Sequence, residues 1–304
     1  MKILVTGGSG MVGSELVKIL PNAVYPSSKD LNLIDPHSVE TFLKKNKFDY
    51  VIHLAAHVGS LHDNIENSTL YFDQNILMNT IITKLSYQNG IKNFLGVLST
   101  CIYPDNLEVF PIKEKSLHLG APHKDLMTYA YAKRSHAVQI NAYKESYGVN
   151  YNYLIPCNLY GEFNLSHRDR YHFVNDLILK IIKAKRNNDT YLKLFGNGKP
   201  MRQFMLAKDF AKIISEYIKQ DLNSSFNVAP DENLTIDQIA KIGLKACEAN
   251  HLEIIYDSSK PNGQFRKDVD TEQFKKNISN FKFTGLSDGI KRVYDSAINN
   301  NFYV

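Results

Sequence analysis

The first twenty residues constrain the fold more than any other part of the chain. Lys2-Ile3-Leu4-Val5-Thr6 is apolar and β-branched without alternation, which predicts a strand buried on both faces. Gly7-Gly8-Ser9-Gly10-Met11-Val12-Gly13 follows at once, and residues 14–20 then carry apolar side chains at helical spacing. A strand, a glycine-rich turn and a helix in that order open a dinucleotide-binding βαβ unit. The glycines let the turn tighten and the backbone approach a pyrophosphate, which sits at the positive end of the helix. The spacing Gly7-x-x-Gly10-x-x-Gly13 differs from the commoner G-x-G-x-x-G and alone also fits a tight turn without a ligand. Its place directly behind a buried strand favours the nucleotide.

The alternation continues. Residues 22–25 read as a second strand and 35–42 as a helix, with Asp35 or His37-Ser38 as its cap. Residues 49–56 form a strand ending at Leu54-Ala55-Ala56, 74–87 a helix stopped by Gly90, and 94–98 another buried strand. A long helix over 128–147 is closed by Gly148, and 151–155 is a further strand. Strands alternating with helices predict a parallel sheet covered on both faces. After Gly161 the rhythm changes: 161–200 read as loop and one amphipathic helix, and 204–260 hold helices near 207–219 and 235–249 among short strands. The expected fold is α/β: a Rossmann-type, doubly wound parallel sheet over residues 1–160, to which the chain returns around 200–228. A smaller, mixed α/β C-terminal substrate-binding domain over 161–304 packs on it as a cap.

Composition removes other classes. Among 304 residues, 43% are apolar and 22% charged, which excludes disordered and collagen-like chains. Thirty-six Lys and Arg against 31 Asp and Glu leave +5, too mild to define a nucleic-acid binder. Apolar runs fall far short of the roughly 18 residues that span a membrane. Cys101, Cys157 and Cys247 are widely spaced with no CxxC pair, so neither a disulfide framework nor a zinc site is expected. The N-terminus MKILVTGG has no signal-peptide pattern, and a cytoplasmic protein is expected. His53, His57, His62 and His118 lack metal-ligand spacing and read as surface or satisfied core histidines; Gly196-Asn197-Gly198-Lys199 reads as a turn between strands.

Chemistry is concentrated in Tyr129-Ala130-Tyr131-Ala132-Lys133. Positions i and i+4 share a helix face, so Tyr129 and Lys133 point into the same space. An ammonium beside a phenol favours the phenolate, bringing its pKa of about 10 towards the working range of a general acid or base. A Tyr and a Lys so spaced are most often a surface pair, but here Leu98-Ser99-Thr100-Cys101-Ile102-Tyr103-Pro104 delivers hydroxyls at the carboxyl end of a buried strand, where doubly wound sheets bind ligands. A glycine-rich turn, a strand-end Ser and a YxxxK helix in that order resemble the extended short-chain dehydrogenase/reductase superfamily. The block from Ser99 to Pro104, Pro156-Cys157-Asn158-Leu159-Tyr160-Gly161, Gly196-Asn197-Gly198-Lys199-Pro200-Met201-Arg202-Gln203-Phe204, Leu31-Asn32-Leu33 and Pro261-Asn262-Gly263 before Arg266-Lys267 look more closely like the GDP-L-fucose synthase family, over nearly the whole chain.

That resemblance implies NADPH-dependent reduction at C4 of a GDP-4-keto-6-deoxy sugar, hexose or heptose. Tyr129 would protonate the C4 oxygen, Ser99 would hydrogen-bond it, and Lys133 would tune Tyr129 and grip the cofactor ribose. The family's synthase also epimerises C3 and C5 with a cysteine and a histidine, roles that fall on Cys101 and His172. It further implies a cofactor held by Gly7, Ser9, Gly10, Met11, Val12, Gly13, Ser28, Leu54, Ala55, Ala56, Pro156 and Leu159. The GDP-sugar would be held by Asn158, Lys180, Arg202 and Lys267, in a homodimer formed through the helices at 74–87 and 128–147.

Three positions depart from the family's pattern. Val174-Asn175 stands where a proline usually follows the histidine, Thr100 replaces a second serine, and Gly8-Ser9-Gly10 lacks an arginine that some members direct at a 2′-phosphate. On the residues alone, Pro26-Ser27-Ser28-Lys29 offers hydroxyls and an ammonium before the first carboxylate, Asp30, which suits NADP(H) better than NAD(H). A UDP- or dTDP-sugar 4-epimerase or 4,6-dehydratase, or a non-catalytic NADP(H) sensor, are the alternatives. A dehydratase normally places acidic residues after the strand-end hydroxyl, where this chain has Cys101-Ile102, and sensors often lose the Tyr–Lys pair retained here.

Overall fold

A five-stranded parallel sheet carries the site. The computed structural model describes residues 1–162, 173–260 and 262–300, with the side chain of residue 62 left aside. Its first part runs β1 (Ile3–Thr6), α1 (Met11–Ile19), α2 (Pro36–Asn46), β2 (Tyr50–His53), α3 (Leu61–Glu66), α4 (Ser68–Gln88), β3 (Asn93–Val97), α5 (Met127–Tyr147) and β4 (Asn150–Pro156). There follow β5 (Asn158–Tyr160), α6 (Phe173–Asn187), β6 (Tyr191–Phe195), β7 (Met201–Arg202), β8 (Phe204–Leu206), α7 (Ala207–Lys219) and β9 (Phe226–Val228). The chain ends with β10 (Leu234–Thr235), α8 (Ile236–Ala246), β11 (Glu253–Asp257), α9 (Glu272–Asn277) and α10 (Leu286–Asn299).

The sheet order is β1-β2-β3-β4-β9, every pair parallel. All residues of β1 and β2 are buried, as strands covered on two faces require. Helices α4 and α5 pack along one another, with α2 against α4, and α1 packs along α7. The strand expected at 22–25 is reduced to a single parallel bridge, Val24 to Leu4, closed by Val24 N–H to Ile3 O at 2.8 Å and Val5 N–H to Val24 O at 2.9 Å. Pro26, lacking an N–H, follows immediately and ends the ladder. The chain thus crosses to one side of β1 at Val24 and to the other at β2, so the winding reverses beside the glycine turn.

Helix ends follow local chemistry. Asp35 caps α2, accepting from His37 N–H at 3.0 Å with Pro36 in the first turn. Thr235 and Gln238 form a capping box on α8. Gly148, at φ +65°, closes α5 in the left-handed region.

Two apolar clusters divide the interior. One surrounds the five-stranded sheet and draws in Met205, Phe210, Ile213 and Phe226 from the later part of the chain. The second joins α6, α8 and α10 with β6, where Leu177, Ile181, Ile239, Leu192 and Ile290 are buried. Each such side chain contributes roughly 1.5–3 kcal/mol of burial. Strand β6 pairs with β11, β7 with β10, and β5 with β8. Asn175 on α6 clamps the chain as it leaves β5: its amide donates to Gly161 O at 3.0 Å and its carbonyl accepts from Gly161 N–H at 3.3 Å.

Candidate active site

The glycine turn is built for backbone closeness. Gly7 has φ +78°, and a Cβ there would lie 2.7 Å from Ala55 N; a Cβ at Gly13 would lie 2.2 Å from Gly7 O. Helix α1 therefore presses directly on the turn, and it begins earlier than expected, at Met11. Its N-cap is Gly10, with no side-chain cap, so the first-turn N–H groups of Met11 and Val12 face a space where a pyrophosphate is stabilised. These features fit a dinucleotide. Ser28 and Lys29 stand exposed on the turn after Val24, and the nearby carboxylate is occupied: Asp30 accepts from Ser27 N–H at 3.1 Å and Ser27 Oγ–H at 2.6 Å. Those bonds hold the Asp30 carboxyl below its usual range.

A buried polar chain ties this turn to α5. Thr6 Oγ accepts from Ala55 N–H at 3.4 Å and lies 2.7 Å from His53 Nδ1, to which its hydroxyl donates. His53 Nε2 then donates to Asn79 Oδ1 at 3.0 Å, and Asn79 Nδ2 donates to Ala132 O at 3.4 Å. His53 is fully buried, and burial pushes its pKa down to about 3, so the ring stays neutral in one tautomer. It is a satisfied core histidine whose chain of bonds ends one residue before Lys133.

Lys133 is 2% exposed, and its ammonium donates to Val97 O at 3.0 Å, at the carboxyl end of β3. Burial brings its pKa down to about 8. The next residue, Arg134, is also buried; its guanidinium donates to Ile102 O, at 2.8 Å from Nε, and to Gly120 O at 2.8 Å. Arg134 thereby pins the 3-10 turn Thr100–Ile102 that carries Cys101, with Ser99 as its N-cap.

Tyr129 is half-buried on the first turns of α5, with the Tyr71 ring edge-on at 6.4 Å. The expectation that Lys133 pulls its phenol down is not met in this structure. Burial pushes the phenol up, the Cys101 thiol and the Tyr71 phenol add to the rise, and the Lys133 ammonium is spent on Val97 O. Cys101 is 7% exposed; burial raises its thiol, opposed by a hydrogen bond with Ser99 and by the ammonium groups of Lys267 and Lys133. Ser99, Cys101, Tyr129 and Lys133 thus meet at the end of β3.

Lys267 joins them from the segment before α9. Its pKa is lowered to about 8 by burial and by the Arg202 guanidinium, while the thiols of Cys101 and Cys157 oppose the fall. Arg202, lowered to about 10 by burial, donates to Met201 O at 2.7 Å. Asn158 spends its amide N–H on Gln203 O at 2.9 Å, which joins β5 to the segment after Arg202. Lys180 pairs with Asp176 at 2.8 Å and stands 4.9 Å from the Phe195 ring centroid. Phe195 is 60% exposed, with Lys260 5.9 Å from the same ring. His172 lies outside the described residues. Leu54, Ala55, Ala56 and Leu159 are half-buried beside the turn and β5, Pro156 is buried at the end of β4, and Ser9 is exposed. Among the described residues no cluster of His, Cys, Asp or Glu could hold a metal.

Residues 3–229 match the profile of the NAD dependent epimerase/dehydratase family. The GDP-L-fucose synthase of Dictyostelium discoideum is 33% identical over 312 residues, covering 98% of this chain and 95% of that one. A GDP-L-fucose synthetase from Naegleria fowleri, solved bound to NADP, superposes with a TM-score of 0.88 at 30% identity, over 99% of this chain and 93% of that chain. The chain belongs to the GDP-L-fucose synthase family. A GDP-mannoheptose C4 reductase from Campylobacter jejuni, at 23% identity and TM-score 0.87 over 98% of both chains, shares the fold.

Proposed function

We propose that the protein reduces C4 of a GDP-4-keto-6-deoxy sugar with NADPH, and epimerises C3 and C5 beforehand. The observation that carries this reading is the meeting of Ser99, Cys101, Tyr129 and Lys133 at one strand end, with Lys267 beside Cys101 and Arg202 beside Lys267. The glycine turn, the open N-terminus of α1, and Ser28 with Lys29 would hold NADPH. NADPH, when bound, supplies the hydride for the carbonyl carbon. Ser99 orients the C4 oxygen, Tyr129 donates a proton to it, and Lys133 fixes the ribose and the helix register. Cys101 takes the proton next to the ketone, which the carbonyl acidifies, and His172 returns one on the opposite face. Arg202 and Lys267 would balance the diphosphate.

The second apolar cluster is the substrate-binding cap in this reading. Phe195 offers an exposed aromatic face to the guanine base, and Lys180 edges it. Phe195→Ala is expected to raise KM for the GDP-sugar roughly tenfold, from a stacking contribution of about 1–3 kcal/mol, with kcat nearly unchanged. An unchanged KM in steady-state kinetics would remove Phe195 from the site. Leu70, Phe72 and Leu77 on α4, with Tyr131 and Val138 on α5, are exposed on neighbouring helices and support a homodimer. The three cysteines are free and buried, which supports a cytoplasmic enzyme.

The reading is tested by mixing the protein with GDP-4-keto-6-deoxymannose and NADPH. One NADPH should be consumed per product formed, and the purified protein should carry no tightly held nicotinamide. Cofactor retained through purification, with no net NADPH use, is the outcome of a 4-epimerase and would overturn it.

A further inference from the structure

The surroundings of Tyr129 contain a second tyrosine that the chemistry above does not use. Tyr71 on α4 is 0% exposed, and its hydroxyl donates to Asp63 Oδ2 on α3. The other carboxylate oxygen, Asp63 Oδ1, accepts from Asn67 Nδ2 at 2.7 Å, and the Asp63 N–H is held by Ser60 Oγ at 3.2 Å. Both carboxylate oxygens are therefore engaged. The Tyr71 ring lies between two others, edge-on to His57 at 4.8 Å and edge-on to Tyr129 at 6.4 Å. Asn75 fixes the His57 backbone, accepting from its N–H at 3.0 Å and donating to its O at 3.0 Å. Gly59 makes the arrangement possible: a Cβ there would fall 1.8 Å from Tyr71 Oη and 2.4 Å from Asp63 Oδ2.

A buried phenol bonded to a carboxylate acts on a neighbouring aromatic acid through its ring. Its ring, unable to rotate away, fixes the neighbour's rotamer by edge contact. We propose that Tyr71, locked by Asp63, is a positioning residue for Tyr129: the ring holds the Tyr129 phenol in its productive direction. The proposal rests on Tyr129 being the proton donor in C4 reduction.

The groups recorded against Tyr129 are Cys101 after β3 and Tyr71 on α4.

The test follows kcat for NADPH-dependent reduction, and KM for NADPH, in the intact protein. Tyr71→Leu, which removes the ring, should lower kcat about tenfold with KM for NADPH unchanged. Tyr71→Phe, which restores the ring, should recover most of that loss. If Tyr71→Leu does not fold, Tyr71→Met, which also lacks the ring, takes its place. An active wild type whose kcat is unchanged by loss of the ring overturns the positioning role alone. A wild type that oxidises no NADPH with the keto sugar overturns that role together with the reading on which it rests.

Discussion

Tyr129→Phe is expected to lower the rate of C4 reduction by about 10²–10⁴-fold, the usual contribution of a positioned general acid, while NADPH binding survives. The ring, its edge contact with Tyr71 and its place on α5 are all kept by phenylalanine; only the donated proton is lost. Burial pushes the Tyr129 phenol up, so at neutral pH it is held in the protonated form that reduction requires. The alkoxide that develops at C4 is a stronger base than a phenolate, so proton transfer runs downhill even from a weakened acid. Lys133 contributes by position: its ammonium bridges α5 to the carbonyl of Val97 and leaves the helix one register against β3. NADPH binding by fluorescence titration and turnover by cofactor consumption separate the two effects. Turnover within tenfold of the wild type would remove Tyr129 from its assigned role.

The parts of this site that were legible in the sequence are those whose partners are close along the chain. The glycine turn is read from Gly7, Gly10 and Gly13 because a Cβ at two of them would strike backbone a few residues away or on the next strand. Tyr129 and Lys133 are one helical turn apart, and Ser99 and Cys101 share one short turn. The remainder was hidden because its partners are distant. Nothing in the sequence near His53 points to Asn79 or Ala132, yet a polar residue closing a buried strand was a signal that it must find some partner. Arg134 has no sequence neighbour that signals its role, because its partners, the carbonyls of Ile102 and Gly120, are brought over it only by the fold. The Asp63–Tyr71 pair joins two helices whose sequences are unremarkable apart. Lys180, assigned to the GDP-sugar by resemblance, pairs with Asp176 one turn away on α6, a neighbour that helical spacing offers directly. The strand at 22–25 failed on Pro26, whose missing N–H limits the edge to one bridge.

Cys101→Ser is expected to erase deuterium incorporation at C3 and C5 of the product when the reaction runs in deuterated water, whereas the wild type incorporates label at both carbons. A serine hydroxyl is far too weak a base to take a proton beside a ketone, while a thiolate is sufficient. The site opposes and assists that thiolate at once. Burial raises the Cys101 thiol, and the ammonium groups of Lys267 and Lys133 and the hydrogen bond with Ser99 lower it. Lys267, itself brought down to about 8, loses its charge as pH rises through that value, and Cys101 then loses that cationic neighbour. Exchange should therefore climb with pH as thiolate forms and flatten or fall above about 8, with Lys267→Met removing the upper turn and slowing exchange throughout. Mass spectrometry of the nucleotide sugar reads the label directly, independently of NADPH consumption. Wild-type product that carries deuterium at neither carbon would make the protein a simple C4 reductase, with Cys101 serving only to pack the turn that presents Ser99.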